Sequence, residues 1–513
     1  MKVLFVIKQI DFADHIAIPH LAGVARELGW QTDLCVLDQA DLGRKVGDWR
    51  PDVVAYSTNV LAFDDMAAAH RSVSDRFPFV SIMGGPHPTF SPETFPLAGV
   101  DAYCVGEGEP AFRDFLVAVE NDRPFDDIPN LITAGGANEV RPLVSPLDEL
   151  PFPDRDITLA NTYLRTTPKK TFYATRGCPF SCSYCCNNYY KKLYRGKGPI
   201  VRRFSVERVV REIEYVRSRY CMDFIKFGDD LFAMKADEWL EEFAEKYAGR
   251  VGIPFNCYLR IDRVDDRLLQ LLRKAGCYSV HLSIDSTSER IREEVLGRRM
   301  QAIDFVERLR LIHSFGINTW VNYMLAAPGS TLGDDLDTIA LSRKGRVTYP
   351  SYSTTVPLKG TALYDYCMER DLIDSNTDSS DMKGCTQVSQ LKGWSRRDRQ
   401  TRYNIFLLGA IIAKLPWPFR WAAIQAIRVL PPNRLFERLR RMYYRYSIEN
   451  RIFDLHRRDR GAPKHGRRRA VSRHEDNSHG REVSTAGRFR VFQPPATRSH
   501  HWEEVSCSKE AKS

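Results

Sequence analysis

The chain has 513 residues with 75 Lys and Arg, 65 Asp and Glu and a formal charge of +10, enough length for two or three domains with real cores. The charge is uneven: residues 457–513 hold 14 basic and 7 acidic residues, a net of +7 that leaves +3 for everything before them. A nearly neutral body speaks against a nucleic-acid-coating protein, and the tail, without sustained period and poor in apolar residues, reads as a disordered basic extension.

Lys2–Ile7 reads as a buried strand and Ile18–Leu28 as an amphipathic helix ending at Gly29. Further strands are expected at Thr32–Leu37, Val53–Ser57, Phe79–Met83 and Ala102–Val105. Five strands with crossovers imply an α/β domain with a doubly wound, Rossmann-like parallel sheet over residues 1–130. Ligands bind such sheets at the carboxyl ends of the strands, and the loops there are unusual: Ser57 and Asn59, then Gly84-Gly85-Pro86-His87, then Gly106-Glu107-Gly108-Glu109. On pattern alone they indicate a nucleotide-like ligand or glycine turns for their own sake.

Residues 131–167, interrupted by Pro142, Pro146, Pro151 and Pro153, read as a linker. After the β-prone stretch Lys170–Ala174 comes Cys178-Pro-Phe-Ser-Cys182-Ser-Tyr184-Cys185, three thiols at offsets of four and three. One short loop can aim three sulfurs at an iron–sulfur cube and leave one iron open. A zinc site, which would want a fourth Cys or His, and ordinary buried cysteines are the other readings. Cys186 is a fourth thiol, but neighbouring side chains do not readily point at one corner.

Beyond the loop, strands and helices alternate again over residues 168–390. Strands at Phe224–Phe227, Phe255–Leu259, Val280–Ile284, Thr319–Leu325 and Ser351–Val356 carry polar residues at their carboxyl ends, where βα barrels place active sites. These include Gly228-Asp229-Asp230, Arg260, Ser283 and Asp285. The acids could instead cap the following helix, and Arg260 could pair with Asp262. Residues 186–203, with Tyr189, Tyr190 and Tyr194 among basic residues, read by default as solvated loop. Residues 391–456 are helical: Ile405–Ala413 is too short to span a bilayer, and Phe419–Val429 is amphipathic, suited to capping a core or lying on a membrane surface.

The CxxxCxxC loop after a strand resembles that of the radical S-adenosylmethionine (SAM) superfamily, and GGPHPTF with VGEGEP resembles the cobalamin (B12)-binding domain that precedes many such barrels. The resemblance implies a cobalamin-binding domain followed by a partial (β/α)6 barrel. Its cofactors would be a [4Fe–4S] cluster on Cys178, Cys182 and Cys185, SAM, and cobalamin. It places SAM against Tyr184, Gly228, Asp229, Asp230, Arg260, Ser283 and Asp285, the last where relatives commonly have Glu. Cobalamin falls against Ser57, Asn59, Gly84, Gly85, His87, Gly106, Glu107, Gly108 and Glu109. Domains that ligate cobalt through Asp-x-His-x-x-Gly differ here, since Ala13 and Ile18 flank His15 at the Asp and Gly positions. The implied binding is therefore without a protein histidine on cobalt.

The implied activity is methyl transfer to an unactivated carbon of a small molecule through a 5′-deoxyadenosyl radical and methylcobalamin. A non-methylating oxidative cyclase, resembling the anaerobic Mg-protoporphyrin monomethyl ester cyclase group, has the same domain order. A cobalamin-binding sensor with a structural cluster is the non-enzymatic reading. The family implies a reducing electron donor such as flavodoxin or ferredoxin. Scattered cysteines outside 178–186 and the lack of a secretory apolar segment point to a cytoplasmic protein with reduced thiols.

Overall fold

In the first strand, β1 (Lys2–Ile7), four consecutive side chains are wholly buried, the mark of a strand covered on both faces. The computed structural model describes residues 1–10, 14–300, 302–374, 389 and 391–455; Ala13 and the basic tail from 457 lie outside them. Strands β2 (Gln31–Val36), β3 (Val53–Ser57), β4 (Val80–Gly84) and β5 (Ala102–Cys104) join β1 in parallel, in the order β2-β1-β3-β4-β5. Val3, Phe5 and Ile7 pack under helices Ala17–Glu27 and Glu109–Glu120, while Leu4 and Val6 pack on the other face with Val46, Met66 and Val73. The strand order reverses between β1 and β3, which opens a crevice at the carboxyl edge.

The sheet continues past residue 130. Two short strands, β6 (Leu131–Thr133) and β7 (Gly136–Ala137), extend it antiparallel from β5, so the expected linker begins as a sheet hairpin. The rest of that stretch binds the two halves together. Arg155 is buried and donates to Asp14 (2.8 Å), to Glu212 (3.1 Å) and to the Thr171 carbonyl (2.8 Å), touching the first domain and the barrel at once.

The second sheet begins with β8 (Lys169–Phe172). A two-stranded antiparallel pair, β9 (Thr175–Arg176) and β10 (Arg202–Arg203), flanks the thiol loop. The remaining strands are β11 (Phe224–Phe227), β12 (Phe255–Tyr258), β13 (Cys277–Asp285), β14 (Asn318–Leu325) and β15 (Tyr349–Thr354), in the order β15-β14-β13-β12-β11-β8. All their pairings are parallel, as in a six-stranded open barrel. The intervening helices start on side-chain caps: Ser205 accepts from the Arg208 amide, Asp237 from Leu240, Asp265 from Leu268 and Thr331 from Asp334.

Helix Arg396–Ile412 covers β15. Gly409 lets it approach, since a Cβ there would sit 2.7 Å from the Tyr352 ring, and a buried Arg402–Asp335 pair (2.5 Å) fixes it to the barrel. The apolar segment around Ile405 thus caps a core. Helices Phe419–Val429 and Arg434–Ser447 rest on it in turn. Among the described residues, no helix is long and apolar enough to cross a membrane.

Candidate functional site

A cavity of about 480 Å³ lies where the carboxyl edges of the two sheets meet. From the first domain its wall takes Ser57, Gly84, Gly85 and the run Gly106–Glu109; from the barrel it takes Tyr173, Thr175 and Gly228–Asp230. Gly85 has φ +105°, and a Cβ there would lie 2.6 Å from the Thr58 carbonyl. Gly106 has φ +81°, and a Cβ would collide with the Tyr194 hydroxyl. Only glycine meets both demands, and it leaves bare backbone facing the cavity.

Two predicted contacts lie elsewhere. His87 is buried outside the wall, stacked on Phe63 at 3.9 Å and hydrogen-bonded to Thr94 (3.0 Å), so it holds its loop by packing. Asn59 is exposed and caps the Leu61 amide at 3.0 Å. His15 is likewise absent from the wall, while Ile16, Ala17 and Ile18 line it. His20, on the helix that follows, is buried and stacked over Phe204.

Glu107 and Glu109 line the cavity, but their carboxylates turn to the barrel. Glu107 takes Arg202 Nη1 at 2.9 Å and Nη2, with Arg176 at 3.5 Å; Glu109 pairs with Arg176. The four residues form an ion-pair clamp across the domains. Burial opposes the charge on Glu109, yet Arg176 outweighs it and holds the carboxyl down to about 2. A carboxyl depressed in the folded state contributes stability above its unfolded value, and that contribution is lost as pH falls from about 4.5 towards 2. The thermal-stability advantage of the wild type over Glu109→Gln is therefore expected to be full at pH 6 and to vanish across that window. A difference that stays constant from pH 6 to pH 2 would contradict the clamp.

The segment expected as solvated loop is ordered. Cys186–Leu193 is a helix, and its tyrosines enter the first domain. Tyr194 is buried, and its hydroxyl accepts from the Glu107 amide (2.7 Å) and the Asn130 side chain (3.5 Å). Tyr189 and Tyr190 meet Phe90 edge-on at 5.0 and 5.7 Å.

Behind this helix sits the thiol loop. The Cys178 thiol feels Cys182 and Cys185, and burial pushes it up to about 11; a hydrogen bond with Cys186 brings Cys185 down to about 7. The loop is stapled to the barrel: the Ser183 amide and hydroxyl donate to the carbonyls of Leu296 (2.8 Å) and Val295 (2.7 Å), and Ser183 accepts from the Leu363 amide (2.9 Å). Lys191 donates to the Pro179 carbonyl at 3.1 Å. Nitrogen donors on side chains also reach the sulfurs, Asn187 Nδ2 to Cys185 at 3.7 Å and Arg298 Nη1 to Cys182 at 3.8 Å.

Arg298 is the residue sequence reasoning missed. Buried, it pairs with Asp285 (2.9 Å), donates to the Tyr184 hydroxyl (3.1 Å) and to the Ser283 carbonyl (2.7 Å), and so links three predicted positions to the thiol loop. Tyr184 donates to Asp285 at 2.7 Å, and Ser283 donates to the same carboxylate. Burial opposes the charge on Arg298, but Asp285 and Tyr184 outweigh it and keep the guanidinium protonated. Asp285 itself has φ +67°, a strained conformation for a non-glycine residue that this network holds. Arg260, by contrast, is occupied. It pairs with Asp262 at 2.7 Å, donates to the Arg299 carbonyl and lies 3.7 Å over the Phe180 ring, so the salt-bridge reading is the observed one.

Asp229 receives the Ala174 and Thr175 amides and the Thr175 hydroxyl on one oxygen, at 2.8, 2.5 and 2.8 Å. Its other oxygen is buried without a hydrogen-bond partner in the cavity wall. Desolvation raises its pKa to about 6 and raises that of Asp230 as well. A buried carboxylate oxygen with unmet capacity fits a ligand donor such as an ammonium. The bare glycine backbone opposite fits a planar cofactor, and three thiols carried on one short loop are the donor type that an iron–sulfur cluster takes.

The sequence profile of the Radical SAM superfamily matches residues 172–341, and that of the B12 binding domain matches residues 12–116. The chain is a radical SAM protein with a B12 binding domain. It is 25% identical over 400 residues to an uncharacterized methyltransferase of Pyrococcus horikoshii, covering 73% of this chain and 84% of that one. It is 23% identical over 348 residues to the anaerobic magnesium-protoporphyrin IX monomethyl ester cyclase of Rubrivivax gelatinosus, covering 64% and 61%. Among solved structures, the radical SAM methyltransferase TsrM of Kitasatospora setae with cobalamin and a [4Fe–4S] cluster superposes with a TM-score of 0.61. It is 18% identical, with 84% of this chain and 91% of that chain covered. That likeness is one of fold. Strands β8 and β11–β15 fall in or just beside the radical SAM match, and β2–β5 lie within the B12 match.

Proposed function

We propose that the protein is a cobalamin-dependent radical SAM enzyme that methylates an unactivated carbon of a small molecule. The observation that carries this reading is the shared cavity: the carboxyl edge of the B12 binding domain and that of the radical SAM barrel wall one space, beside the thiol loop. When bound, the cluster with SAM supplies one-electron initiation and cobalamin supplies a methyl carrier. Cys178, Cys182 and Cys185 would hold the cluster, with Asn187 and Arg298 donating to sulfur and so tuning its potential. Asp229 and Asp230, beside Gly228, would receive the amino group of SAM, and Tyr184, fixed by Asp285 and Arg298, would flank its adenine. The Tyr173 ring packs against position 228 only because that residue is glycine, where a Cβ would lie 2.6 Å from the ring. Ser57, Gly84, Gly85, Gly106 and Gly108 would offer the surface for cobalamin, and the Glu107–Arg202 and Glu109–Arg176 pairs would keep the two edges closed against water.

The setting we infer is the cytoplasm, with a reducing donor such as flavodoxin or ferredoxin and with membrane-surface contact through the C-terminal helices. The test of activity uses anaerobically reconstituted protein with cobalamin, reductant and methyl-labelled SAM, following 5′-deoxyadenosine and S-adenosylhomocysteine together by mass spectrometry. Both products support methyl transfer. The similarity to the cyclase of Rubrivivax gelatinosus favours a second reading, oxidation without methylation, which predicts 5′-deoxyadenosine alone. Neither product, with iron and cobalamin confirmed bound, would overturn both in favour of a sensor.

A further inference from the structure

Helix Arg434–Ser447 is polar by composition, yet one of its faces is apolar and exposed. Leu435, Leu439, Met442 and Tyr446 follow the spacing i, i+4, i+7, i+11, so they form a single stripe, and Leu435 and Met442 are 60% and 61% exposed. One residue earlier at each step stand Arg434, Arg438, Arg441 and Arg445, a parallel stripe turned by about 100°. All four are exposed, and Arg445 reaches Glu449 at 3.2 Å. The side that packs on the protein is a different one: Phe436 and Ser447 are buried, Arg440 lies 4.1 Å over the Phe406 ring, and Tyr444 meets Tyr349 edge-on at 5.9 Å.

Helix Phe419–Val429 adds a second group at its start. Trp417 and Phe419 are 72% and 66% exposed, Trp421 is exposed beside them, and Val429 is exposed at the far end of the helix. From Lys414 to Ser447 there are eight basic residues and one acid, Glu437. A second copy of this face would bring cations to cations. The chain beyond residue 456 is no better matched, since it too carries a net +7 from 457 onward.

We propose that these two helices lie flat on an anionic phospholipid bilayer. The apolar stripe and the tryptophans would sit at the boundary between headgroups and acyl chains, where amphipathic rings are favoured, and the arginine stripe would lie among the phosphates. The aliphatic stems of the arginines extend the apolar surface while their guanidinium groups remain in the polar layer. The inference goes beyond the catalytic reading and does not rest on it.

Full-length protein is floated with vesicles of phosphatidylcholine alone and of phosphatidylcholine with phosphatidylglycerol. Co-flotation is expected with the anionic vesicles, weakened at least about tenfold in molar salt by screening. Replacing Leu435, Leu439, Met442 and Tyr446 together by serine should lower binding at least about tenfold with an unchanged melting temperature, since all four are exposed. Arg438→Glu with Arg441→Glu, a second variant at exposed positions, should lose the preference for anionic vesicles. Equal binding to neutral vesicles, or no flotation of the wild type, would overturn the proposal. So would a dimer in sedimentation velocity that the four-serine variant abolishes, because the face would then be an interface between copies.

Discussion

Cys182→Ala is expected to lose the iron–sulfur cluster and, with it, SAM cleavage by more than about a hundredfold, the upper end of what even supporting residues of a metal site cost. Cys182 is the buried thiol of the three and the one that Arg298 approaches. Two remaining thiolates on one loop cannot clamp a corner of the cube that three define. Iron and sulfide per chain after anaerobic reconstitution, with 5′-deoxyadenosine formed per minute, measure both losses. Cys186→Ser is the matched control. Cys186 is exposed and opens the helix Cys186–Leu193, and its thiol hydrogen-bonds to that of Cys185 without adding to the three at the corner, so iron content should stay near that of the wild type. Equal iron loss in the two variants would make Cys186 a ligand and would undo the three-thiol assignment.

Arg298→Leu should have the second largest effect. It removes the cation that faces Asp285 in a buried pocket, and an unpaired buried charge costs about 3–5 kcal/mol. Adding Asp285→Asn removes the stranded charge and should restore much of the melting temperature, whereas SAM cleavage should remain low because Tyr184 and Cys182 have still lost their shared donor. Arg298→Lys keeps the charge but not the fork that reaches Asp285, Tyr184 and the Ser283 carbonyl at once, so it should keep more stability than activity. Full SAM cleavage in Arg298→Leu would show that the network only fills space.

The thiol loop, the alternating strands and the glycine loops were legible because each is a local pattern: a spacing of sulfurs, a run of β-branched residues, a pair of glycines. The hairpin of β6 and β7 was hidden by its brevity, although Gly135-Gly136 between Thr133 and Ala137 is a turn signal that could have revealed it. Helix Cys186–Leu193 was not legible. Its tyrosines stand among lysines as they would in a solvated loop, and what orders them, Phe90, Glu107 and Asn130, lies some 60 to 100 residues away in the sequence. Arg298 was masked in the same way by the basic run Arg298-Arg299, because its meaning depends on Asp285 and on a loop 116 residues earlier. Glu107 and Glu109 line the cavity as their loop suggested, but no local pattern could show that their charge goes to Arg176 and Arg202.

Between Cys185 and Tyr194 the chain has no slack. Eight helical residues fill the interval, about 12 Å at 1.5 Å each, with a thiol of the cluster loop at one end and a phenol seated on the Glu107 amide at the other. The helix works as a ruler between the iron side and the B12 side. One inserted residue would advance its far end by about 1.5 Å and swing it by about 100°, turning Tyr194 off its seat, whereas the stretch 195–201 that follows has no such periodicity to violate. Length variation is thus forbidden before Tyr194 and tolerable after it.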